Sequence, residues 1–302
     1  MKKQLIIDIK GNSLDDGNGI RTVIFLKGCP LRCVWCHNPE SKDSNSQLSF
    51  DPDVCVDCGK CRSICKQKAL SKENEFYIDR TKCNECLECV EACPSGALSI
   101  VGKYYEDDEL LDIIMKDKMF FDMSGGGVTL SGGEPTYNLE YFAHIAKMFH
   151  DNGIDVQVET CGMFNYDAFV EKALPYIDHI FFDLKIFDEE EHKKYCGVSN
   201  KIILENFSKL NKLLGNNPKR LLARTPLIPM ITATEKNLDQ ISSFLVENGV
   251  KESFLLPYNP LWLKKNFKIG VKGEMNLPDK FMPNGDVNKC KKIYRDKGIH
   301  VD

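Results

Sequence analysis

The placement of its cysteines constrains this chain more than any other feature. Fourteen occur in 302 residues, and eleven fall into three tight groups: Cys29/Cys33/Cys36, Cys55/Cys58/Cys61/Cys65 and Cys83/Cys86/Cys89/Cys93. Only Cys161, Cys196 and Cys290 stand apart. The start of the sequence offers only Leu5, Ile6 and Ile7 before Asp8 interrupts, so it lacks the apolar stretch of a secretory leader. A cytoplasmic setting is expected, where dense cysteines read as metal ligands rather than as a disulfide framework. The formal net charge of −4 disfavours nucleic acid or an anionic membrane as the main partner, and no apolar run is long enough to span a bilayer. Hydrophobic content of 42% and charged content of 28% suit a globular fold.

Outside residues 50–102, apolar runs alternate with amphipathic segments. Expected strands are Thr22–Lys27, Val128–Ser131, Val156–Thr160, His179–Leu184, Leu221–Pro226 and Ser253–Leu256. Expected helices are Tyr141–Asn152, Tyr166–Leu174, Ile203–Leu214, Leu238–Asn248 and a closing Asp286–Lys297, with a helical pattern also from Glu106. Alternation of this kind implies a parallel sheet, and six strands suit a partial (β/α)6 barrel, with an open doubly wound sheet as the alternative. Unusual residues gather where these strands end, the face that carries the site in a βα barrel. Residues 50–102 are cysteine-dense, with short elements only. They read as a module inserted into a barrel built from residues 1–49 and 103–302.

Cys29, Cys33 and Cys36 form a Cys-x3-Cys-x2-Cys loop. Three thiolates on one short loop can hold three corners of a four-iron cluster and leave the fourth iron open, as a catalytic centre requires. The alternative is a zinc site completed by His37.

With Trp35 before the last cysteine, this loop resembles that of the radical S-adenosylmethionine superfamily, and the resemblance covers nearly the whole chain. It implies that the methionine amino and carboxylate groups chelate the open iron. An electron then splits a C–S bond to give methionine and a 5′-deoxyadenosyl radical. Ser131-Gly132-Gly133-Glu134-Pro135 resembles the superfamily's methionine-amine site, and Glu159 falls where it has an acidic residue for the ribose hydroxyls. A closer resemblance, to the glycyl radical enzyme activating enzymes, rests on Asp16 to Arg21, on Cys36-His37-Asn38-Pro39-Glu40, on Gly125 to Pro135 and on Phe182-Asp183-Leu184-Lys185. Arg224 and the run Leu255 to Asn259 also fall in place, although Asn18 replaces a usual proline and Asn259 a usual histidine. The resemblance implies catalytic roles for Cys29, Cys33, Cys36 and Lys185. It implies cofactor contacts from Trp35, Cys36, His37, Gly132, Gly133, Glu134, Glu159, Asp183, Leu184, Lys185, Arg224 and Asn259. The reaction implied is removal of one hydrogen atom from a glycine of a partner glycyl radical enzyme, in an oxygen-sensitive, anaerobic setting.

The other two groups are each Cys-x2-Cys-x2-Cys-x3-Cys, the pattern of two-cluster bacterial ferredoxins. The resemblance implies one four-iron cluster on Cys55, Cys58, Cys61 and Cys93 and another on Cys83, Cys86, Cys89 and Cys65, making three clusters in all. Lys66 stands where ferredoxins usually have proline, and paired zinc sites are the alternative. A subset of activating enzymes carries such an insert, which implies electron relay from a reduced flavodoxin or ferredoxin. Two rival functions stand beside this reading: a radical enzyme acting on a small molecule, and a ferredoxin-type electron carrier. Cys161 reads as a small buried apolar residue, and Met115, Met119 and Met123 read as packing residues. The lysines between Leu263 and Lys272 read as a solvated charged loop.

Overall fold

The computed structural model describes residues 1–273 and 275–301. The chain opens with strands β1 (Ile6–Ser13) and β2 (Arg21–Leu26), then enters the cysteine-rich segment. That segment holds strand β3 (Gln47–Phe50), two short helices, α1 (Lys60–Ile64) and α2 (Glu88–Glu91), and strand β4 (Leu98–Val101). Helices α3 (Asp107–Met115) and α4 (Lys118–Ser124) lead out of it into β5 (Gly127–Gly132), α5 (Leu139–Asp151) and β6 (Asp155–Thr160). Next come α6 (Tyr166–Lys172), β7 (His179–Asp183), α7 (Glu189–Cys196), α8 (Lys201–Leu213) and β8 (Leu221–Leu227). The chain closes with α9 (Glu235–Glu247), β9 (Glu252–Pro257), α10 (Trp262–Lys268), α11 (Asn284–Asp296) and β10 (His300–Val301).

Eight strands form one sheet in the order β1-β2-β5-β6-β7-β8-β9-β10. All neighbours are parallel except β1, which pairs antiparallel with β2. The six strands expected from periodicity are the central ones. Their order follows the chain without reversal, so the sheet has no switch point of the doubly wound kind. Strand β5 is the most enclosed, with every residue from Gly127 to Ser131 buried, as parallel strands covered on both faces require. On α5, Tyr141, Ile145 and Phe149 with Phe142 and Ala146 form one buried stripe at helical spacing. Its entry is fixed by Asn138, whose side chain accepts from the Tyr141 amide, a cap worth about 1 kcal/mol.

The cysteine-rich segment has its own small core, built from Leu48, Phe50, Leu70, Tyr77, Ile78, Cys89, Ala97 and Leu98. Strands β3 and β4 pair antiparallel as a separate sheet, so the segment's first strand begins at Gln47, ahead of the expected boundary at residue 50. Helix α10 ties it to the rest of the molecule: Lys264 pairs with Asp53 and Lys268 with Asp51. Beyond the helix, Lys272 pairs with Glu75. The lysines expected in a solvated loop are therefore partly helical and engaged with acidic side chains.

Met115, Met119 and Met123 are a correction. They lie 40%, 64% and 80% exposed, not packed, because α3 and α4 turn Leu110, Ile114 and Phe121 inward instead. Among the described residues no helix is long and apolar enough to cross a membrane.

Candidate active site

The loop after β2 carries Cys29, Cys33 and Cys36 across the C-terminal ends of the central strands. Its attachment is backbone to backbone. Gly133 and Glu134 donate to the carbonyls of Leu26 and Gly28, each at 2.9 Å, and Gly28 donates to Ser41 at 2.7 Å. This contact needs glycines. A Cβ on Gly132, whose φ is +111°, would stand 2.4 Å from the Leu26 oxygen, and one on Gly133 would stand 2.4 Å from the Gly28 oxygen. The two glycines thus serve the close seating of the cysteine loop on β5 as well as any ligand.

A second seam fixes the middle of the loop. The amides of Arg32 and Val34 donate to the carbonyls of Cys196 and Tyr195 at the end of α7. The Cys196 side chain is buried and hydrogen-bonds Cys33, which, with burial, holds the Cys33 thiol well above its ordinary range. Burial likewise raises Cys29, and it pushes Cys36 up to about 11 with help from Cys33. A metal bound at these thiols would have to displace their protons.

One cavity of about 410 Å³ unites most of the residues expected at the site. Its walls include Cys29, Cys33, Trp35, Cys36, His37, Gly132, Gly133, Glu159, Asp183, Lys185, Arg224 and Asn259. Trp35 is buried and His37 is exposed at the rim. Opposite the cysteines, a network of charges spans the ends of β5 to β8. Glu159 accepts from Ser131 at 2.6 Å and from Arg224. Arg224 also donates to Asp183 at 2.9 Å, and Asp183 accepts from Lys185 at 2.9 Å. Burial alone would push Arg224 down, yet Asp183 and Glu159 overcome it and hold the guanidinium firmly charged. Burial would raise Asp183; Arg224 and Lys185 reverse that and hold it ionised. Lys185 is kept protonated against burial by Asp183.

Two expected contacts lie elsewhere. Glu134 is fully buried and outside the cavity wall, where its carboxylate accepts from Thr136, from Thr160 at 2.8 Å and from the Cys161 amide at 2.7 Å. It ties the ends of β5 and β6 together. Leu184 is a buried core residue whose amide donates to the Arg224 carbonyl at 2.8 Å. Asn259 is on the wall, but its side-chain oxygen accepts from the Leu261 amide at 2.9 Å and so caps a turn.

The structure also adds residues. Cys161 lines the cavity within an apolar cluster shared with Cys33 and Cys196. Asn38 lines it too and accepts from Lys265 at 2.8 Å. The strand-end position of Cys161 was a signal; Cys196, far along the chain, gave none.

In the cysteine-rich segment, Cys55, Cys58, Cys61 and Cys93 line one cavity together. Burial, with Cys83, Cys86 and Cys65 close by, pushes the Cys89 thiol up to about 11. All fourteen cysteines are free. Among the described residues no three His, Cys, Asp or Glu side chains converge closely enough for a single metal ion. A zinc ion needs all its donors about 2.0–2.3 Å from one point.

Comparison with known proteins agrees with this geometry. The sequence profile of the radical SAM superfamily matches residues 23–239. The chain is 38% identical over 274 residues to the trans-4-hydroxy-L-proline dehydratase activating enzyme of Clostridioides difficile, covering 89% of each protein. It is 37% identical over 280 residues to the indoleacetate decarboxylase activating enzyme of Tractidigestivibacter scatoligenes, covering 89% of this chain and 87% of that one. The crystal structure of a radical SAM methyltransferase from Sphaerobacter thermophilus superposes with a TM-score of 0.52 at 12% identity, covering 99% of this chain and 76% of that one, a likeness of fold alone. A cysteine loop seated on a mostly parallel sheet, a charged wall opposite it and relatives of this identity place the chain in the radical SAM superfamily, among the glycyl radical enzyme activating enzymes.

Proposed function

We propose that this activating enzyme works through three four-iron clusters, one on Cys29, Cys33 and Cys36 and two in a ferredoxin-like insert spanning residues 50–102. The observation that carries the catalytic part is the sharing of one cavity by the three loop cysteines and the Glu159–Arg224–Asp183–Lys185 network. When bound, the loop cluster supplies the electron that cleaves S-adenosylmethionine, and the resulting 5′-deoxyadenosyl radical takes a hydrogen atom from a glycine of the partner enzyme.

The chain's own residues hold and orient. Catalysis of this kind asks for positioning rather than for a general base. Lys185 and Arg224 offer fixed positive charge to the carboxylate end of the cofactor, and Glu159 offers an acceptor for ribose hydroxyls. Gly132 and Gly133 bring backbone to the wall, while Trp35 and His37 flank the cysteine loop. Asn259 stands at the far side of the cavity, as β9 ends. Glu134 and Leu184 act from behind the wall, holding the strand ends on which the site is built.

The consecutive order of six parallel strands supports a partial (β/α)6 barrel formed by residues 1–49 and 103–302. The convergence of Cys55, Cys58 and Cys61 with Cys93 supports the crossed ligand pattern of two-cluster ferredoxins. The insert would pass electrons from a reduced flavodoxin or ferredoxin to the loop cluster. The partner is a glycyl radical enzyme, and the setting is the anaerobic cytoplasm.

The test is anaerobic. Iron-reconstituted protein with dithionite and S-adenosylmethionine should form 5′-deoxyadenosine and raise a doublet glycyl radical signal on a partner. Product without a protein radical would redirect the search to a small-molecule substrate. Replacing Cys58 by Ala should slow turnover driven by the protein donor; unchanged donor-driven turnover would make the insert a structural or docking element.

A further inference from the structure

We infer that the Tyr77 hydroxyl tunes the iron–sulfur centre held by Cys55, Cys58, Cys61 and Cys93, raising its reduction potential through Cys61. The inference rests on the cluster assignment proposed above. Tyr77 has a φ of +67°, a left-handed conformation that a bulky residue rarely adopts. Such strain persists only where surroundings over-determine it, and it gathers at functional sites. Here the surroundings are specific. The Tyr77 amide donates to the Asn74 carbonyl at 3.0 Å, and the Tyr77 carbonyl accepts from the Ser71 amide at 3.0 Å and the Asn74 side chain at 3.2 Å.

The ring is stacked on Phe50, with centroids 3.9 Å apart and planes 16° from parallel. Backbone and ring together deliver the hydroxyl to 3.0 Å from the Cys61 sulfur. Phe50, Tyr77 and Arg62 line the same cavity as the four cysteines. Arg62 stands 3.5 Å behind the hydroxyl and is itself paired with Asp57 at 3.2 Å. An iron-bound thiolate has no proton to give, so the tyrosine is the donor in the loaded protein. Cys93, in the same set, has Ser95 Oγ 3.7 Å from its sulfur.

The second set is served differently. Cys65 accepts from a backbone amide, that of Ala69 at 3.4 Å. Among the described residues no side chain donates to Cys65, Cys83, Cys86 or Cys89. Hydrogen bonds to cluster sulfurs favour the more negative, reduced state and so raise the potential. Two clusters with the same ligand spacing are thereby made unequal.

The experiment is an electron-paramagnetic-resonance redox titration of the anaerobically reconstituted full chain and its Tyr77→Phe variant, which keeps the ring stack and removes only the hydroxyl. One midpoint should fall by about 59 mV, a tenfold change in the reduced-to-oxidised ratio for one electron, while the others stay in place. Arg62→Gln should move the same midpoint in the same direction by less. Unchanged midpoints, several midpoints moving together, or loss of iron from the Phe variant would each overturn the inference. Wild-type protein binding far fewer than about twelve irons per chain would instead overturn the cluster assignment on which it rests.

Discussion

Two buried arginines sit at opposite ends of the same sheet. Arg21, at the start of β2, is fully buried. Its guanidinium donates to Thr129 at 2.7 Å, to the Val128 carbonyl at 2.7 Å and to Asp155 at 2.8 Å. Burial pulls its pKa below the usual arginine value, against the pull of Asp155. Arg224, near the other end, is held by two carboxylates and faces a cavity. One arginine is closed in by protein, with three of its five hydrogen bonds going to backbone carbonyls. The other is fastened on one side and open on the other. On the function proposed above, the first serves stability and the second binding, although in the sequence both stand at motif positions, Arg21 closing the Asp16 to Arg21 stretch and Arg224 where the family has an arginine.

The comparison can be broken by exchange of effects. Arg21→Met should lower unfolding stability by about 3–5 kcal/mol, read from the urea midpoint, while product formed per folded, iron-loaded molecule stays near wild type. A stable Arg21 variant would remove the distinction. Arg224→Met should instead cut 5′-deoxyadenosine formation on the order of 100-fold, since charge-assisted hydrogen bonds contribute about 1.5–3 kcal/mol each. Its unfolding midpoint should fall less than that of the Arg21 variant, because water in the cavity can solvate the carboxylates left behind.

A third test concerns Asp155, which also binds His179 at 3.0 Å. That hydrogen bond raises the His179 pKa above its ordinary value. A raised histidine stabilises fully below about pH 6.5, and its contribution fades as pH climbs through the raised value. The deficit of His179→Gln should therefore be greatest in mildly acidic buffer and shrink as pH rises; a deficit that grows with pH would contradict the pairing. The smallest effect belongs to the surface. Lys264→Ala removes an exposed pair with Asp53, and the urea midpoint should move no further than its scatter.

Much of this was legible because it is written in periodicity and spacing. The six central strands are apolar runs closed by turn residues, and the cysteine groups announce themselves. What escaped depended on distance or on a mixed pattern. Strand β1 alternates Ile7, Asp8, Ile9 and Lys10, a half-solvated edge that is faint when read for a leader. Strand β10 has two residues and owes its existence to pairing with β9. Helix α7 has five charged residues among its eight, yet it presents the Tyr195 and Cys196 carbonyls to the cysteine loop. Glu134 belongs to a local motif, whereas its partners beyond Thr136 are Thr160, at the end of the next strand, and the Cys161 amide just after it. No local pattern encodes which of two acidic residues will face the cavity and which will be enclosed.

The meeting of Cys93 with Cys55, Cys58 and Cys61 in one cavity has a consequence for how the chain is made. Cys93 leaves the ribosome 38 residues after Cys55, roughly 2–8 s later at ordinary rates of synthesis. All three earlier thiols of this set are present once Cys61 is made, 32 residues ahead of Cys93, with Cys65 following closely. On the cluster assignment proposed above, Cys29, Cys33 and Cys36 would keep such an incomplete set for the life of the protein. On the same assignment, the arrival of that late cysteine would close the insert's site, while the loop's site would stay open.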